Sequence, residues 1–226
     1  MFRHAFFALL FGAGAAFDAA ATTPRSLADS LAKAAPQADP AVIRLAIDAT
    51  QCAAANGTPA SRRLAVIDYS RPSTEPRLWV FDLKRRTLLY RELVAHGRNT
   101  GENLAQHFSN VPGSFQSSLG LYRTLQTYNG SNGYSLRMEG LDPGFNDLAL
   151  ERAIVMHGAP YVDAKLSKTQ NRIGRSHGCP AVRMGVARRL IDDLKGGQFV
   201  FSYYPDKRWL SASKNLNCGA TLASRN

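Results

Sequence analysis

Cysteine is scarce in this sequence: three residues in 226, an odd number. Three thiols cannot build a disulfide-dense miniprotein, and they fall one short of an all-cysteine zinc site, which needs four. No Cys-x-x-Cys or His-x-Glu pattern accompanies them. Long hydrophobic runs are also missing. The longest, Ala5 to Phe17, is about 13 residues, too short to span a bilayer stably. Acidic residues are the scarcer charge, with Asp+Glu at 17 against Lys+Arg at 28, a net charge of +11. Aromatic residues make up 9% and do not interleave with a Lys/Arg cluster, which argues against a nucleic-acid surface. No internal repeat, low-complexity tract or Pro/Gly-rich linker divides the chain.

The apolar share of 45% and charged share of 20% belong to a globular chain with a real core. The first 21 residues read as an export signal. Met1-Phe2-Arg3-His4 is a short basic start, the apolar run follows, and Ala19-x-Ala21 is a small-x-small cleavage pattern. The alternative is an N-terminal membrane anchor. Cleavage would remove one arginine and one aspartate, so the mature protein keeps its positive charge and no stable membrane insertion is expected. A basic exported protein suits an anionic partner such as a cell wall, lipid head groups or extracellular nucleic acid, and charge alone does not choose.

Export changes the meaning of the cysteines, because thiols outside the cytosol tend to pair. Cys52 lies in a helical pattern near the start of the mature chain and Cys218 near its end. The economical assignment is a Cys52–Cys218 disulfide with Cys179 free. The alternative leaves Cys52 as a buried helix thiol and Cys218 unpaired.

The region 22–60 reads as helical. Ser26 to Ala35 forms one segment, and Asp39-Pro40 opens a second that carries Ile43, Ala46, Ile47 and Thr50 at helical spacing to the stop at Asn56-Gly57. Strand patterns dominate the remainder, 61–226. Leu78 to Phe81 and Leu88 to Tyr90 predict one hairpin; Gly120 to Tyr128 and Tyr134 to Leu141, around Asn129-Gly130-Ser131-Asn132-Gly133, predict another. Ala153 to Met156 reads as a short buried strand, Val186 to Leu194 as an amphipathic helix and Phe199 to Tyr203 as a last strand. The expected fold is mainly β (α+β), sheets packed on each other with peripheral helices.

The chemistry concentrates between His157 and Arg183. A cysteine nucleophile needs a base, because a free thiol is only a few per cent ionised at neutral pH. It also needs something to orient that base and backbone N–H groups for the oxyanion. Cys179 sits in Arg175-Ser176-His177-Gly178-Cys179-Pro180, where Gly178 permits a turn and close substrate approach. His157-Gly158 follows a buried strand and supplies a candidate base. Spacing alone leaves His96, His107 and His177 in competition, and His96 shares the His-Gly dipeptide. His157, His177 and Cys179 could also be three zinc ligands, although no signature supports a metal site.

These residues resemble the L,D-transpeptidases, the YkuD-like family of cell-wall cysteine enzymes, and more closely its murein L,D-transpeptidase catalytic domain subgroup. The family shows His-Gly after a strand, a loop, [Ser/Thr]-His-Gly-Cys, a helix, a Gly-rich turn and a closing strand. Here these are Met156-His157-Gly158, Ser176-His177-Gly178-Cys179, the helix, Lys195-Gly196-Gly197 and the strand from Phe199. Val111-Pro112-Gly113-Ser114-Phe115 and Val94-Ala95-His96-Gly97-Arg98-Asn99-Thr100-Gly101 add to the likeness, which covers roughly residues 64 to 205.

The resemblance implies an L,D-transpeptidase-like β-sandwich. It makes Cys179 the nucleophile, His157 the base and the Gly158 carbonyl the group that orients it. Gly178 and Cys179 amides would form the oxyanion hole, with Ser176, His177 and Arg175 shaping the pocket. The loop from His157 to Ser176 is slightly longer than the family's. Pro180-Ala181-Val182 precede Arg183, so Arg183 takes the family's substrate-binding arginine role only through a two-residue shift. No cofactor is implied, the partners are peptidoglycan stem peptides, and a monomer is expected. Competing readings are a secreted cysteine peptidase or amidase and a basic wall-binding module with an incidental thiol.

Overall fold

A computed structural model describes Met1 and residues 24–218. The export signal expected over residues 1–21 lies outside these residues, Met1 apart. Helix α1 (Pro24–Ala34) and helix α2 (Pro40–Ala55) come first. Asp39 caps α2: its carboxylate accepts from the Ala41 N–H at 2.8 Å, and Pro40 takes a first-turn position where a missing N–H costs nothing. The chain then runs through β1 (Arg63–Asp68), β2 (Leu78–Asp82), β3 (Thr87–Glu92), β4 (Val94–Ala95), β5 (Gly120–Gly130), β6 (Gly133–Gly140) and β7 (Val155–Ala159). Helix α3 (Ala164–Gln170), β8 (Ala181–Arg183), α4 (Met184–Leu194), β9 (Phe199–Tyr203) and α5 (Lys207–Ala212) complete it.

Both expected hairpins form. β2 pairs antiparallel with β3, and β5 with β6. The second turn closes on Gly130↔Gly133, and Gly133 takes the left-handed φ of +69° that glycine tolerates best. The buried strand expected at Ala153 to Met156 is shifted. It begins at Val155 and carries His157 and Gly158 inside it, because β7 is paired on both sides, antiparallel to β6 and parallel to β8.

The strands form one mixed sheet in the order β3-β2-β1-β9-β5-β6-β7-β8-β4. Its two edge strands, β3 and β4, are separated in sequence by Leu93 alone. One residue cannot bridge the width of a flat sheet of nine strands spaced about 4.8 Å apart, so the sheet must curl until its edges nearly meet. The two packed layers expected from the sequence are thus opposite walls of a single, nearly closed sheet. The fold is mainly β with peripheral helices, as expected for an L,D-transpeptidase-like domain.

Strand alternation sorts the core into two parts. Ala65, Ile67, Leu78, Val80 and Val200 point into the curl, where they meet Leu136, Met156 and Val182 from the far strands and Leu190 and Ile191 from α4. Their neighbours Leu64, Val66, Trp79, Phe81, Phe199 and Phe201 point the other way and pack against Leu31, Ile43 and Ile47 of α1 and α2 and Trp209 of α5. Burying each such side chain contributes about 1.5–3 kcal/mol. Cys52 of α2 and Cys218 are joined by a disulfide, their Cα atoms 5.7 Å apart across 166 residues, and Cys179 is the free thiol. Among the described residues, no helix is long and apolar enough to cross a membrane.

Candidate active site

Cys179 lies in the loop between α3 and β8, and hydrogen bonds fix that loop from two directions. The Ser176 N–H donates to His96 O at 2.9 Å, and the Arg98 N–H donates to Ser176 O at 2.8 Å. The Ser176 hydroxyl accepts from the Gly178 N–H at 3.0 Å and donates to Cys179 O at 2.6 Å. Ser117 Oγ donates to Gly178 O at 3.1 Å. Gly178 itself has φ +121°, a conformation that a side chain would strain, and a Cβ there would lie 2.8 Å from Gln116 O. The loop therefore holds Cys179 with its side chain buried, 8% exposed.

The thiol meets the segment leading into β7. The Val155 N–H approaches Cys179 Sγ at 3.4 Å, and Sγ lies 3.8 Å from Ala153 O. Ala153 reaches this position with φ +52°, an uncommon value for a residue with a side chain. Burial pushes the Cys179 thiol above its ordinary range, partly offset by the Val155 N–H and the Arg152 charge.

His157 sits in β7 opposite Ala181 of β8, and Cys179 precedes Ala181 by two residues, one pleat repeat. His157 and Cys179 line the same cleft. The His157 Nδ1 lies 3.0 Å from Gly158 O. A carbonyl only accepts, so Nδ1 carries the proton and Nε2 presents a lone pair. Burial lowers the His157 pKa, with the Gly158 carbonyl opposing it. Cys179 and His157 therefore share a cleft, with His157 Nδ1 committed to the Gly158 carbonyl.

Two clefts open onto Cys179. One is lined by His157, Tyr161, Arg175 and Ser176; the other by Gly113, Phe115, Arg152 and Ala153. Cys179, His177 and Asn132 border both. His177 is exposed, its ring 4.7 Å from that of Phe115, whose other contact is the Arg98 guanidinium at 4.2 Å. Arg175 donates to Arg98 O at 3.1 Å, Gly101 O at 3.0 Å and Glu102 at 2.6 Å, which fixes one rim.

The structure brings together Cys179, His157, Gly158, His177, Gly178, Ser176 and Arg175. It does not bring Arg183. That side chain makes a bidentate pair with Glu92 of β3, at 2.7 Å for each bond, where β8 runs into α4. Arg183 lines neither cleft on Cys179, and its guanidinium is held in this strand-edge ion pair instead of facing the expected substrate site. Of the two amides expected to form an oxyanion hole, the Gly178 N–H is already engaged by Ser176. His96 is buried, held between Arg77 and Gly101 O, and His107 lines a separate shallow depression. Among the described residues, no group of three or more His, Cys, Asp or Glu is placed to hold a metal ion. Sequence reasoning missed Arg152, Asn132 and Tyr161. None lies in the histidine–cysteine motif, and only the curl of the sheet carries them there.

The family model of the L,D-transpeptidase catalytic domain (YkuD_2) matches residues 34–203, so the chain belongs to that family. Among solved structures, an L,D-transpeptidase from Mycobacterium smegmatis is similar at 13% identity and TM-score 0.41, over 64% of this chain and 60% of that one. An L,D-transpeptidase from Stackebrandtia nassauensis is similar at 13% identity and TM-score 0.38, over 81% and 92%. The chain thus spans about 60% of the length of the mycobacterial protein. No curated protein matches it.

Proposed function

We propose that this protein is an exported cysteine L,D-transpeptidase acting on peptidoglycan stem tetrapeptides. One observation carries the reading: Cys179 and His157 face one cleft, with the His157 ring held by the Gly158 carbonyl so that Nε2 can accept a proton. Cys179 Sγ attacks the carbonyl that joins the L-centre to the terminal D-residue, and its proton passes to His157 Nε2. The C–N bond breaks as His157 protonates the leaving D-amino acid, and a thioester to Cys179 remains. An amine of a second stem then attacks the thioester, loses its proton to His157 and frees the thiol. The Cys179 N–H is the oxyanion donor, joined by Gly178 if Ser176 releases it.

The two clefts meeting at Cys179 favour a second peptide over water as acceptor, one cleft for each chain. Hydrolysis, the L,D-carboxypeptidase reading, is the competing outcome. Export is supported by the Cys52–Cys218 disulfide, which persists only where thiols oxidise, and by the basic charge, which suits an anionic wall. The test is muropeptide analysis after incubating the mature protein with tetrapeptide-rich sacculi. New 3→3 dimers support transpeptidation and tripeptides alone support hydrolysis. Intact sacculi alongside cleaved casein would replace the reading with an ordinary cysteine peptidase.

A further inference from the structure

Arg152 lies just before β7, and both terminal nitrogens of its guanidinium are engaged by one loop. Nη1 donates to Ser109 O at 2.7 Å and to Ser118 Oγ; Nη2 donates to Gln116 O at 2.6 Å and Ser114 Oγ at 3.2 Å. Four of its five N–H groups are thereby satisfied by neutral oxygens, two carbonyls and two hydroxyls. Among the described residues no carboxylate pairs with it. Its charge is felt instead by Tyr122 and Cys179, and burial disfavours that charge. Arg152 lines the same cleft as Cys179, and its Nη2 lies 3.5 Å from where a Cβ on Gly178 would sit.

A half-buried cation with satisfied hydrogen bonds and no counter-ion is an unfinished ion pair. Its donors are occupied, so it is poorly suited to grip a substrate carboxylate. What it offers the cleft is positive potential. We infer that Arg152 is the positioning residue whose charge completes an ion pair with the Cys179 thiolate as the thiol gives up its proton. The four bonds to residues 109–118 hold that charge in place and tie it to the loop carrying Phe115. This rests on Cys179 being the nucleophile, but not on any particular cell-wall substrate.

The test is the pH dependence of alkylation of the mature protein by iodoacetamide. Cys52 and Cys218 are disulfide-bonded, so Cys179 is the thiol read. The other titratable or charged groups around it are His157, His177, Arg175 and Tyr161 in the clefts and Tyr69 beneath the loop, and they remain in every variant. Arg152→Gln is expected to move the thiol inflection to higher pH and cut alkylation at neutral pH about tenfold, the effect of losing a nearby opposite charge. Arg152→Lys keeps the charge but cannot reproduce the four bonds. It is expected to stay within about threefold of the parent, as a point charge at this distance should. Ser114→Ala removes one loop bond and leaves the profile in place. A folded Arg152→Gln protein with an unshifted profile overturns the inference. Should Arg152→Gln fail to fold, Arg152→Lys decides: reactivity within threefold supports the inference, and a larger fall shows a purely structural staple and overturns it. Alkylation needs no peptidoglycan, so this result and the muropeptide result fail independently.

Discussion

His96-Gly97, just past the end of β4, and His157-Gly158, inside β7, share a dipeptide and burial, with the two histidines 1% and 4% exposed. Their ring nitrogens differ. His96 Nδ1 accepts from Arg77 Nη2 at 2.8 Å, and Nε2 faces Gly101 O at 3.2 Å, so the ring has neither a lone pair nor a proton to offer. His157 satisfies Nδ1 on its own neighbour and keeps Nε2 toward the cleft with Cys179. Arg77 is fully buried, and its other donors go to Val94 O at 2.8 and 3.0 Å and to Arg71 O at 2.9 Å. The first dipeptide is therefore part of the frame. Its Gly97 bridges Ser176, and its carbonyl at His96 receives the Ser176 N–H. The same two residues can be locked into the frame or face a cleft, and the partners of the ring nitrogens make the difference.

The largest effects test the site at the cleft. Cys179→Ala should remove the acyl-enzyme entirely, read as loss of any substrate-derived mass adduct; a retained adduct would refute the nucleophile. His157→Ala should lower kcat/KM by about 10²–10⁴, the range for a positioned acid–base group, whereas His96→Ala should stay within about tenfold. Equal losses in the two variants would erase the contrast drawn between the histidines.

Smaller effects test the frame. Burial and the Arg77 charge hold the His96 pKa down at about 3, against 6.5 for an ordinary histidine. The unfolded chain binds a proton as pH falls below 6.5, while the folded chain resists until near 3. The stability from neutral His96 is therefore whole above pH 6.5 and declines as the pH drops. By pH 5 the loss is about 2 kcal/mol. Denaturant melts of the parent and His96→Ala should show it, the variant losing less stability between pH 7 and pH 5. At neutral pH, His96→Ala should cost about 1–3 kcal/mol, because Arg77 loses a buried acceptor.

The glycines give the finest comparison. A Cβ on Gly97 would lie 2.3 Å from Phe115 O and 3.0 Å from the Gly178 backbone, so Gly97→Ala must move the nucleophile loop. A Cβ on Gly158 would meet Met184 Sδ at 3.1 Å, a flexible tip, and the Ala187 Cβ at 2.7 Å, a less severe approach than the 2.3 Å at Gly97 but one that only a small shift of α4 relieves. Gly97→Ala should therefore depress both thermal stability and alkylation of Cys179 more than Gly158→Ala. The reverse order would show that the loop does not lean on Gly97.

Both hairpins, the two N-terminal helices and the closing strand were legible because each carries a full local signal: period, cap or turn. Asp39-Pro40 marks its helix start without help from the rest of the chain. β4 and β8, two and three residues long, have no period to read. They are strands only because the curled sheet offers them partners. The family was legible for a different reason. His-Gly and Ser-His-Gly-Cys are rare enough together to mark a family, and the family model matches the chain. The Arg183–Glu92 pair was not legible, because spacing along the chain does not say which way a strand end faces. Arg152 carried no signal, since an arginine before a strand is ordinary until its neighbours are known.

What the sequence alone determined is local: which segments are helix or strand, where the free thiol sits, and which histidine-glycine pairs compete for it. Local spacing and the left-handed turn at Gly178 depend on neighbours a few residues away, so they are written in the chain itself. Tertiary structure set the two histidine-glycine pairs apart. Only closure of the sheet, with β3 and β4 one residue apart at opposite edges, sets Arg77 against His96 and leaves His157 open. The same closure lays Arg152 in one cleft with Cys179, with no carboxylate paired to it among the described residues. Hydrogen-bond saturation and uncompensated charge belong to the packed surroundings of a residue, and only the fold supplies those.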